Sequence, residues 1–238
     1  MTAFKLIYEQ AFRLLCLVAL MAVTFSIFAQ DAQKPWSTLV AERKADIQQG
    51  LLPRGDKVIT IGDSHAAFLA QTASACPTTV VNAGVNGATS KRYLELLDTL
   101  RVSEKARKAI VSIGTNDIFR KRGTTTAEFR ANAEKIVWSV SRISERVTVS
   151  AIPPIALASS DLFDDEKAFE FSEVLRDVCE RHANCAFADP HRAHRNAERP
   201  GTGADDYLSA DGVHLANYAA LSEQLEICPS TAPSAKWN

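Results

Sequence analysis

The stretch Val58-Ile-Thr-Ile-Gly-Asp-Ser-His-Ala-Ala67 decides the fold of this chain. Its first residues are apolar or β-branched and predict a short buried strand, while the alanine-rich half after Ser64 predicts a helix start. A serine at such a corner exposes its hydroxyl at the carboxyl end of a sheet, and its backbone N–H is an unpaired donor of the helix N-terminus. Both features are typical of a nucleophile beside an oxyanion site. The alternative is that Gly62, Asp63 and Ser64 form only a turn and a helix cap.

Size and charge exclude several classes of protein. The chain has 238 residues, of which 46% are hydrophobic and 23% charged, so it is long enough for one domain with a full core. It carries 27 basic and 28 acidic residues, and its formal net charge is -1. A chain without a broad positive field does not attract nucleic acid or an anionic membrane, so we expect neither as a partner.

The N-terminus has the pattern of a targeting segment. Lys5 and Arg13 precede an apolar run over residues 14–28, which ends at the small residue Ala29. This pattern predicts a secretory signal peptide over residues 1–29 and a periplasmic or secreted mature protein without stable membrane insertion. The apolar run is shorter than the roughly 20 residues that a membrane-spanning helix needs. The alternative is an uncleaved membrane anchor.

The cysteine count agrees with export. The chain has five cysteines, and removal of the signal peptide with Cys16 leaves four: Cys76, Cys179, Cys185 and Cys228. An even number in an exported protein predicts disulfide bonds, and four cysteines allow three pairings. None has the Cys-x-x-Cys spacing of a metal or redox site. The alternative is buried free thiols.

Apolar runs alternate with helix-like segments from residue 58 onward. The runs cover residues 58–61, 79–81, 109–113, 147–152 and 185–188. Strands that are apolar throughout are buried on both faces, which predicts a parallel sheet covered by helices. We therefore predict a five-stranded, three-layer α/β sandwich, and strand order 2-1-3-4-5 for this doubly wound sheet.

The segments between the runs carry helical signals. Thr125 and Glu128 have the spacing of a capping box at the start of one helix. Leu215, Ala219 and Leu225 predict an inward apolar stripe on the closing helix.

The domain organisation is simple. Residues 30–56 are predicted to form an N-terminal extension with a short helix over residues 38–48. No repeat or linker interrupts residues 57–228, so we predict one domain there, followed by a tail over residues 229–238.

The predicted architecture also ranks the cysteine pairings. In a doubly wound sheet of this order the first and last helices lie on the same face. Cys76 and Cys228 follow these two helices, so we expect them to pair. Cys179 and Cys185 would then close a short local loop.

Two unusual loops follow the second and third strands, at the edge of the sheet where open α/β folds bind ligands. Residues 82–90 contain Gly84 and Gly87, which permit tight turns and the close approach of a substrate. The loop after the third strand reads Gly114-Thr-Asn-Asp117. A glycine N–H and the Asn116 amide are candidate oxyanion donors. The alternatives are an ordinary turn and an Asx turn or helix cap.

The last informative stretch, Ser209-Ala-Asp-Gly-Val-His-Leu215, precedes the closing helix. An aspartate three residues before a histidine, with a glycine between them, can hold the imidazole Nδ1–H and leave Nε2 to accept a serine proton. Asp211 and His214 are therefore the candidate acid and base for Ser64. A capped turn is the alternative for this pair. Such chemistry needs no metal, and we expect no cofactor.

Together these four stretches resemble the sequence blocks of the SGNH hydrolase superfamily, the GDSL-like lipases and acylhydrolases, over about residues 57–226. The resemblance implies a flavodoxin-like α/β/α sandwich and acyl-ester hydrolysis through an acyl-enzyme. It implies that Ser64 is the nucleophile and that Asp211 and His214 complete the triad. It also implies an oxyanion hole formed by the Ser64 N–H, Gly87 and Asn116.

One position departs from the family pattern. The leucine that usually follows the family's serine is His65 here, as in some SGNH domains attached to sugar O-acyltransferases. We expect His65 and Asp63 to contact substrate. The alternative for His65 is a solvent-facing side chain without a role in the reaction.

The short spacing between the blocks leaves little room for a lid or a deep acyl tunnel. We therefore predict short acyl groups, acetate above all, on a carbohydrate or another small-molecule ester. The alternatives are a lysophospholipase or thioesterase, a sugar O-acyltransferase, and a non-catalytic carbohydrate-binding protein.

A basic loop, His191-Arg-Ala-His-Arg195, precedes the Asp211 turn, and Arg199 follows it. Recognition of an acidic sugar is one interpretation, and a solvated surface is the other. His191 and His194 lack the further ligands of a zinc site.

Overall fold

The structure is a computed structural model that describes residues 35–73 and 76–228. The predicted signal peptide over residues 1–29 and the predicted tail over residues 229–238 lie outside the described residues. Residue contacts group the chain from Arg43 onward into one compact unit, which therefore begins within the predicted N-terminal extension.

Helices and strands alternate along the described residues. The helices are α1 (Trp36–Leu51), α2 (Ser64–Gln71), α3 (Ser90–Leu97), α4 (Thr126–Ile143), α5 (Asp165–Glu180) and α6 (Tyr218–Gln224). The strands are β1 (Lys57–Gly62), β2 (Thr79–Gly84), β3 (Ala106–Ser112), β4 (Ser144–Ser150) and β5 (Cys185–Ala188). Among these helices, none is both long and apolar enough to span a bilayer.

All five strands are parallel, and their order is β2-β1-β3-β4-β5, which confirms the predicted fold. Every residue of β1 is buried, and β3 is buried at all but one position. The edge strands β2 and β5 expose part of their length. The predicted burial on both faces is therefore confirmed for β1 and β3 but not for the edge strands. An edge strand has a neighbour on one side alone, and solvent reaches the other side.

The register of the three adjacent strands places their carboxyl ends at one level. Gly62 at the end of β1 aligns with Gly84 of β2 and with Ser112 of β3. Beyond the strands, Val85 N–H donates to Gly62 O at 2.9 Å and Asp63 N–H donates to Ser112 O at 3.0 Å. The loops that follow β1, β2 and β3 therefore leave the sheet together, tied by backbone hydrogen bonds.

Two glycines permit this close approach. A Cβ added at Gly62 would lie 1.7 Å from the carbonyl oxygen of Ser112, and the φ of +139° at Gly62 also favours glycine. A Cβ added at Gly84 would lie 2.2 Å from the backbone nitrogen of Ala67, so α2 packs directly on the end of β2. Side chains at either position would push the site-bearing loops apart.

The helix signals were confirmed at α4 and corrected at α6. Thr125 and Glu128 form the predicted capping box. The closing helix begins only at Tyr218, because the side chain of Asn217 accepts the Ala219 N–H and caps it. Ala219 is exposed, contrary to the prediction of an inward stripe, while the other two predicted core residues are buried outside the helix.

Both disulfides have the predicted pairing. Cys76 is joined to Cys228 across 152 residues, and Cys179 is joined to Cys185 across 6 residues. The first bond ties the segment after α2 to the segment after α6, in agreement with the expectation that these helices share a face.

Candidate active site

Ser64 is the first residue of α2, and Asp63 is the cap that precedes it. Its side chain lies at the sheet edge described above and is 8% exposed. The Oγ of Ser64 lies 2.8 Å from Nε2 of His214, although 150 residues separate them in sequence. The structure thus brings the candidate nucleophile and the candidate base into hydrogen-bond contact.

The third predicted member of the triad lies behind the histidine. Oδ2 of Asp211 lies 2.6 Å from Nδ1 of His214, so the ring presents Nε2 to the serine. The other oxygen, Oδ1, accepts the backbone N–H groups of Val213 and His214, each at 2.9 Å, and the Ser209 hydroxyl at 2.8 Å. One short turn therefore saturates the Asp211 carboxylate with donors.

These donors determine the charge of Asp211. Its partial burial would raise the pKa, but hydrogen bonds from the His214 ring, from the two backbone N–H groups and from Ser209 outweigh burial and hold the pKa below its usual range. Asp211 is therefore an anion at neutral pH. An anion at this place stabilises the imidazolium that forms when His214 accepts a proton.

The candidate oxyanion donors lie on the two neighbouring loops. Gly87 is exposed, with a φ of +75° and open space around its α-carbon. Asn116 is partly exposed, and within the described residues its side chain has no hydrogen-bond partner. Ser64 adds the free backbone N–H of a helix N-terminus. All three groups follow strands whose carboxyl ends are aligned, and they remain available to an incoming ligand.

Asp117 is a residue that the sequence reasoning missed. Its carboxylate accepts the Ser90 N–H at 2.8 Å and the Ser90 hydroxyl at 2.6 Å, which ties the Asn116 loop to the start of α3. Burial raises the pKa of Asp117 to about 6, although the hydrogen bonds from Ser90 oppose that rise. The signal was its place directly after Asn116, in a block from which only Asn116 was given a role.

The structure contradicts the expectation that Asp63 contacts substrate. Its side chain is fully buried, and Oδ1 accepts the His65 N–H at 3.0 Å. Burial raises the pKa of Asp63 to about 7; the His65 N–H opposes this rise, and the nearby Asp117 adds to it. Asp63 therefore acts as the cap of α2 and has no surface to offer a ligand.

His65 is also buried, at 1% exposure, so neither substrate contact nor a solvent-facing position describes it. Its Nδ1 lies 2.8 Å from the hydroxyl of Tyr218. Its ring centroid is 5.1 Å from that of His214. Burial, and next the neighbouring His214, holds the pKa of His65 well below its usual value, so His65 is neutral.

Two aromatic residues near His214 were not predicted. The ring of Phe68 meets the His214 ring edge-on with centroids 5.1 Å apart, and it lies 5.4 Å from the Tyr218 ring. Phe68 is four residues after Ser64, so its place on the same face of α2 was readable from helical periodicity. Nothing in the sequence pointed to Tyr218.

The basic loop is a solvated surface in part: Arg192, His194 and Arg199 are exposed, whereas His191 is buried. The side chain of Arg195 is 6% exposed and pairs with Asp189 at 3.0 Å, and Arg199 pairs with Asp165 at 2.8 Å. Burial, together with Arg195, lowers the pKa of the fully buried His191 to about 3. Across residues 35–73 and 76–228, no three His, Cys, Asp or Glu side chains are grouped as metal ligands.

Comparison with known proteins agrees with this geometry. The profile of the GDSL-like lipase/acylhydrolase family matches residues 55–218, well over half of the chain. A search of curated proteins gave no match.

Solved structures share the fold. A lipase/acylhydrolase from Enterococcus faecalis is 23% identical, with a TM-score of 0.59, over 72% of this chain and 96% of the other. An acetylxylan esterase from Geobacillus stearothermophilus is 18% identical, with a TM-score of 0.57, over 74% and 94%. A carbohydrate acetylesterase family member from Sinorhizobium meliloti is 20% identical, with a TM-score of 0.52, over 72% and 96%. By its family profile the chain belongs to the GDSL-like lipase/acylhydrolase family, and it is a serine ester hydrolase.

Proposed function

We propose that this chain is an exported esterase that releases acetyl groups from a carbohydrate. In this proposal Ser64 is the nucleophile, His214 the general base and Asp211 the group that orients the base. The observation that carries it is the unbroken contact from Ser64 Oγ to His214 Nε2 at 2.8 Å and from His214 Nδ1 to Asp211 at 2.6 Å. Such a chain of contacts activates a serine hydroxyl for acyl transfer.

The reaction proceeds in two halves. Ser64 Oγ bonds to the ester carbonyl carbon as its proton passes to His214 Nε2, and the bond to the sugar oxygen then breaks as Nε2 returns the proton to that oxygen. A water molecule next attacks the acetyl-enzyme and gives a proton to Nε2, which passes it to Oγ as acetic acid leaves. The Ser64 N–H, the Gly87 N–H and the Asn116 amide stabilise the oxyanion in both halves.

Two observations favour export. Residues 1–29 have the pattern of a signal peptide, and two disulfides join the four remaining cysteines. Disulfides of this kind persist in the oxidising periplasm or outside the cell.

A groove that runs from the loops after β2 and β3 along α3 and α4 favours a carbohydrate. It has a volume of about 1060 Å³ between α3 and α4, and Thr89 and Asp117 form part of its wall, close in sequence to Gly87 and Asn116. Trp138 is 54% exposed on the groove, and the Arg142 guanidinium lies 4.7 Å from its ring centroid. An aromatic ring can pack its open face against the C–H face of a sugar. Within the described chain Lys135 forms no salt bridge, so its ammonium group is available to sugar hydroxyls.

The first experiment tests the nucleophile. We expect Ser64→Ala to lower hydrolysis of 4-nitrophenyl acetate by about 10⁶-fold and to abolish labelling by a fluorophosphonate, because the nucleophile is removed. Ser103→Ala is the control, because this exposed serine precedes the amino end of β3 and so lies at the opposite edge of the sheet from the site. Equal activity of Ser64→Ala and wild type would refute the assignment.

The second experiment tests the substrate. We expect hydrolysis of aryl esters to fall steeply from acetate to octanoate and expect release of acetate from acetylated oligosaccharides. Trp138→Ala should lower kcat/KM on the oligosaccharide by about 10-fold through lost ring contact and leave 4-nitrophenyl acetate unchanged. A preference for long acyl chains would favour a lysophospholipase, and acetyl transfer to added oligosaccharide would favour an acyltransferase.

A further inference from the structure

A second route of contacts connects Ser64 with His214, apart from the hydrogen bond between their side chains. The residue after Ser64, His65, turns its ring toward His214 at a centroid distance of 5.1 Å and an angle of 39°. Nδ1 of His65 lies 2.8 Å from the hydroxyl of Tyr218 on α6. That hydroxyl accepts the N–H of Leu215, the residue after His214, at 3.4 Å. The route thus starts beside the nucleophile and ends beside the base.

We propose that His65 and Tyr218 are positioning residues that hold the His214 ring at its distance from Ser64. His65 acts through the ring contact, and Tyr218 acts through its two hydrogen bonds. The inference rests on the proposed triad and deepens it. In this proposal neither residue touches the ester, because His65 is 1% exposed and the Tyr218 hydroxyl is already bonded to His65 and Leu215.

His214 needs such support because no helix or strand holds it. It lies on a turn three residues after Asp211, whose side chain is 52% exposed, and four residues before α6. Backbone hydrogen bonds from Ser209 N–H to His214 O at 2.8 Å and from Ala156 N–H to Gly212 O at 2.7 Å hold the backbone of this turn, and the hydrogen bond to Asp211 orients the ring from one side. A contact to the buried start of α2 supports the imidazole ring from a second side.

The environment of His65 makes it a rigid support. Within the described residues its Nε2 has no hydrogen-bond partner, so the Tyr218 hydroxyl is the polar contact that orients the ring. Burial keeps His65 neutral, and burial also raises the pKa of Tyr218, so its hydroxyl keeps its proton. A neutral ring beside His214 does not repel the imidazolium that forms there. Phe68 packs edge-on against the same His214 ring.

The structure offers a matched control for Tyr218. The hydroxyl of Tyr207 lies 2.6 Å from Nδ1 of His191, another buried histidine, but that pair has no ring contact with His214. Tyr218→Phe and Tyr207→Phe therefore each remove one tyrosine–histidine hydrogen bond. Only the first removes a bond that leads to the base.

We expect Tyr218→Phe to lower kcat on 4-nitrophenyl acetate by about 3- to 10-fold, the effect of losing the hydrogen bond to His65 together with the long one from Leu215, with KM changed by less than about 2-fold. Tyr207→Phe should change kcat by less than about 2-fold, although it should lower Tm about as much as Tyr218→Phe does. The rate of fluorophosphonate labelling of Ser64 should follow kcat, because it reports the activated hydroxyl without any carbohydrate contact.

Replacement of His65 provides a second test. His65→Asn keeps an amide where Nδ1 stood and can still pair with Tyr218, whereas His65→Leu, the usual family residue, cannot. Both variants remove the ring contact and should lower kcat, but we expect His65→Leu to lose about 10-fold more kcat than His65→Asn, because it also loses the bond to Tyr218. Tyr218→Phe should lower kcat less in the His65→Leu background than in wild type.

The outcomes are distinguishable. Suppose that the wild type is active, and that Tyr218→Phe has the same kcat as Tyr207→Phe or His65→Asn has the same kcat as His65→Leu. Either result overturns the positioning role and leaves the proposed function intact. A wild type without esterase activity overturns the proposed function itself. If Tyr218→Phe does not fold, as judged by circular dichroism, the comparison of the two His65 variants decides.

Discussion

At the scale of single residues, two carboxyl groups near Ser64 have opposite charge behaviour. Asp211 is half exposed and surrounded by donors, so its pKa is held below the usual range and it stays ionised. Asp63 is fully buried, so its pKa rises to about 7. Environment alone separates their roles, since the side chains are identical. Asp211 is suited to stabilise an imidazolium, and Asp63 is suited to cap a helix.

The raised pKa of Asp63 predicts a pH dependence of stability. Between pH 4 and 7 the unfolded chain ionises Asp63 while the folded chain keeps it protonated, so the free energy of unfolding falls as pH rises. Asp63→Asn removes this contribution and keeps the oxygen that accepts the His65 N–H. Urea unfolding from pH 4 to pH 8 should show wild type losing stability relative to the variant by up to about 4 kcal/mol. If the difference in the free energy of unfolding between wild type and Asp63→Asn did not change with pH, burial would not be raising the pKa of Asp63.

Asn116 provides a prediction about catalysis. We expect Asn116→Ala to lower kcat on 4-nitrophenyl acetate by about 10²- to 10³-fold with little change in KM, because an oxyanion donor acts in the transition state. Asn184→Ala, at the amino end of β5 and so at the opposite edge of the sheet, should leave kcat unchanged. A change in KM alone would assign Asn116 to substrate binding instead.

At the scale of elements, α2 is the component on which the site depends. Its first residue is the nucleophile, and His65 and Phe68 present their rings to His214. The helix reaches this place because Gly84 lets its backbone pack onto the end of β2 without an intervening side chain. Helix packing and site geometry therefore depend on the same contact.

This contact predicts an asymmetry between two glycine substitutions. Gly84→Ala should lower the free energy of unfolding by about 3 kcal/mol, because the new Cβ would meet the backbone of Ala67. Gly123→Ala has open space around it and costs only the strain of its positive φ, about 1 kcal/mol. Guanidinium unfolding of both variants measures the difference. We further expect Gly84→Ala to lose esterase activity, because it shifts α2.

At the scale of the whole molecule, the two disulfides differ in what they restrain. The Cys76–Cys228 bond closes a loop across most of the domain, with a separation of 152 residues. The Cys179–Cys185 bond spans 6 residues between α5 and β5. A crosslink restricts the unfolded chain more when its loop is longer. The long-range bond should therefore contribute most to the stability of the domain.

Paired substitutions test this expectation. Cys76→Ala with Cys228→Ala should lower the free energy of unfolding by about 5 kcal/mol, and Cys179→Ala with Cys185→Ala by about 2 kcal/mol, on the chain-entropy estimate. Chemical denaturation without reductant measures both. Equal losses would mean that contacts in the folded state, rather than restriction of the unfolded chain, determine the contribution of each bond.

The order of the sheet, the capping box of α4 and the cysteine pairing could be predicted from the sequence. Strand interiors such as 58–61 are uniformly apolar, and capping residues act within one helical turn, so the signals of the strands and of the cap are local. The strand order and the cysteine pairing followed instead from the topology that is typical of doubly wound α/β sheets. The closing helix was misplaced because the cap at Asn217 competes with an apolar pattern that starts earlier. Edge exposure was missed because the composition of a strand does not show how many neighbours it has.

The sequence by itself determined the residue types of the site and the strands that carry them, because short blocks and local patterns encode both. Only the tertiary structure decided that His65 lies beneath His214 against Tyr218, that Asp63 is buried, and that Asp117 binds Ser90. These relations join residues far apart in the chain. They depend on strand register and on the packing of α2. A local pattern of side chains does not specify either, so these contacts and burials could be known only from the three-dimensional fold.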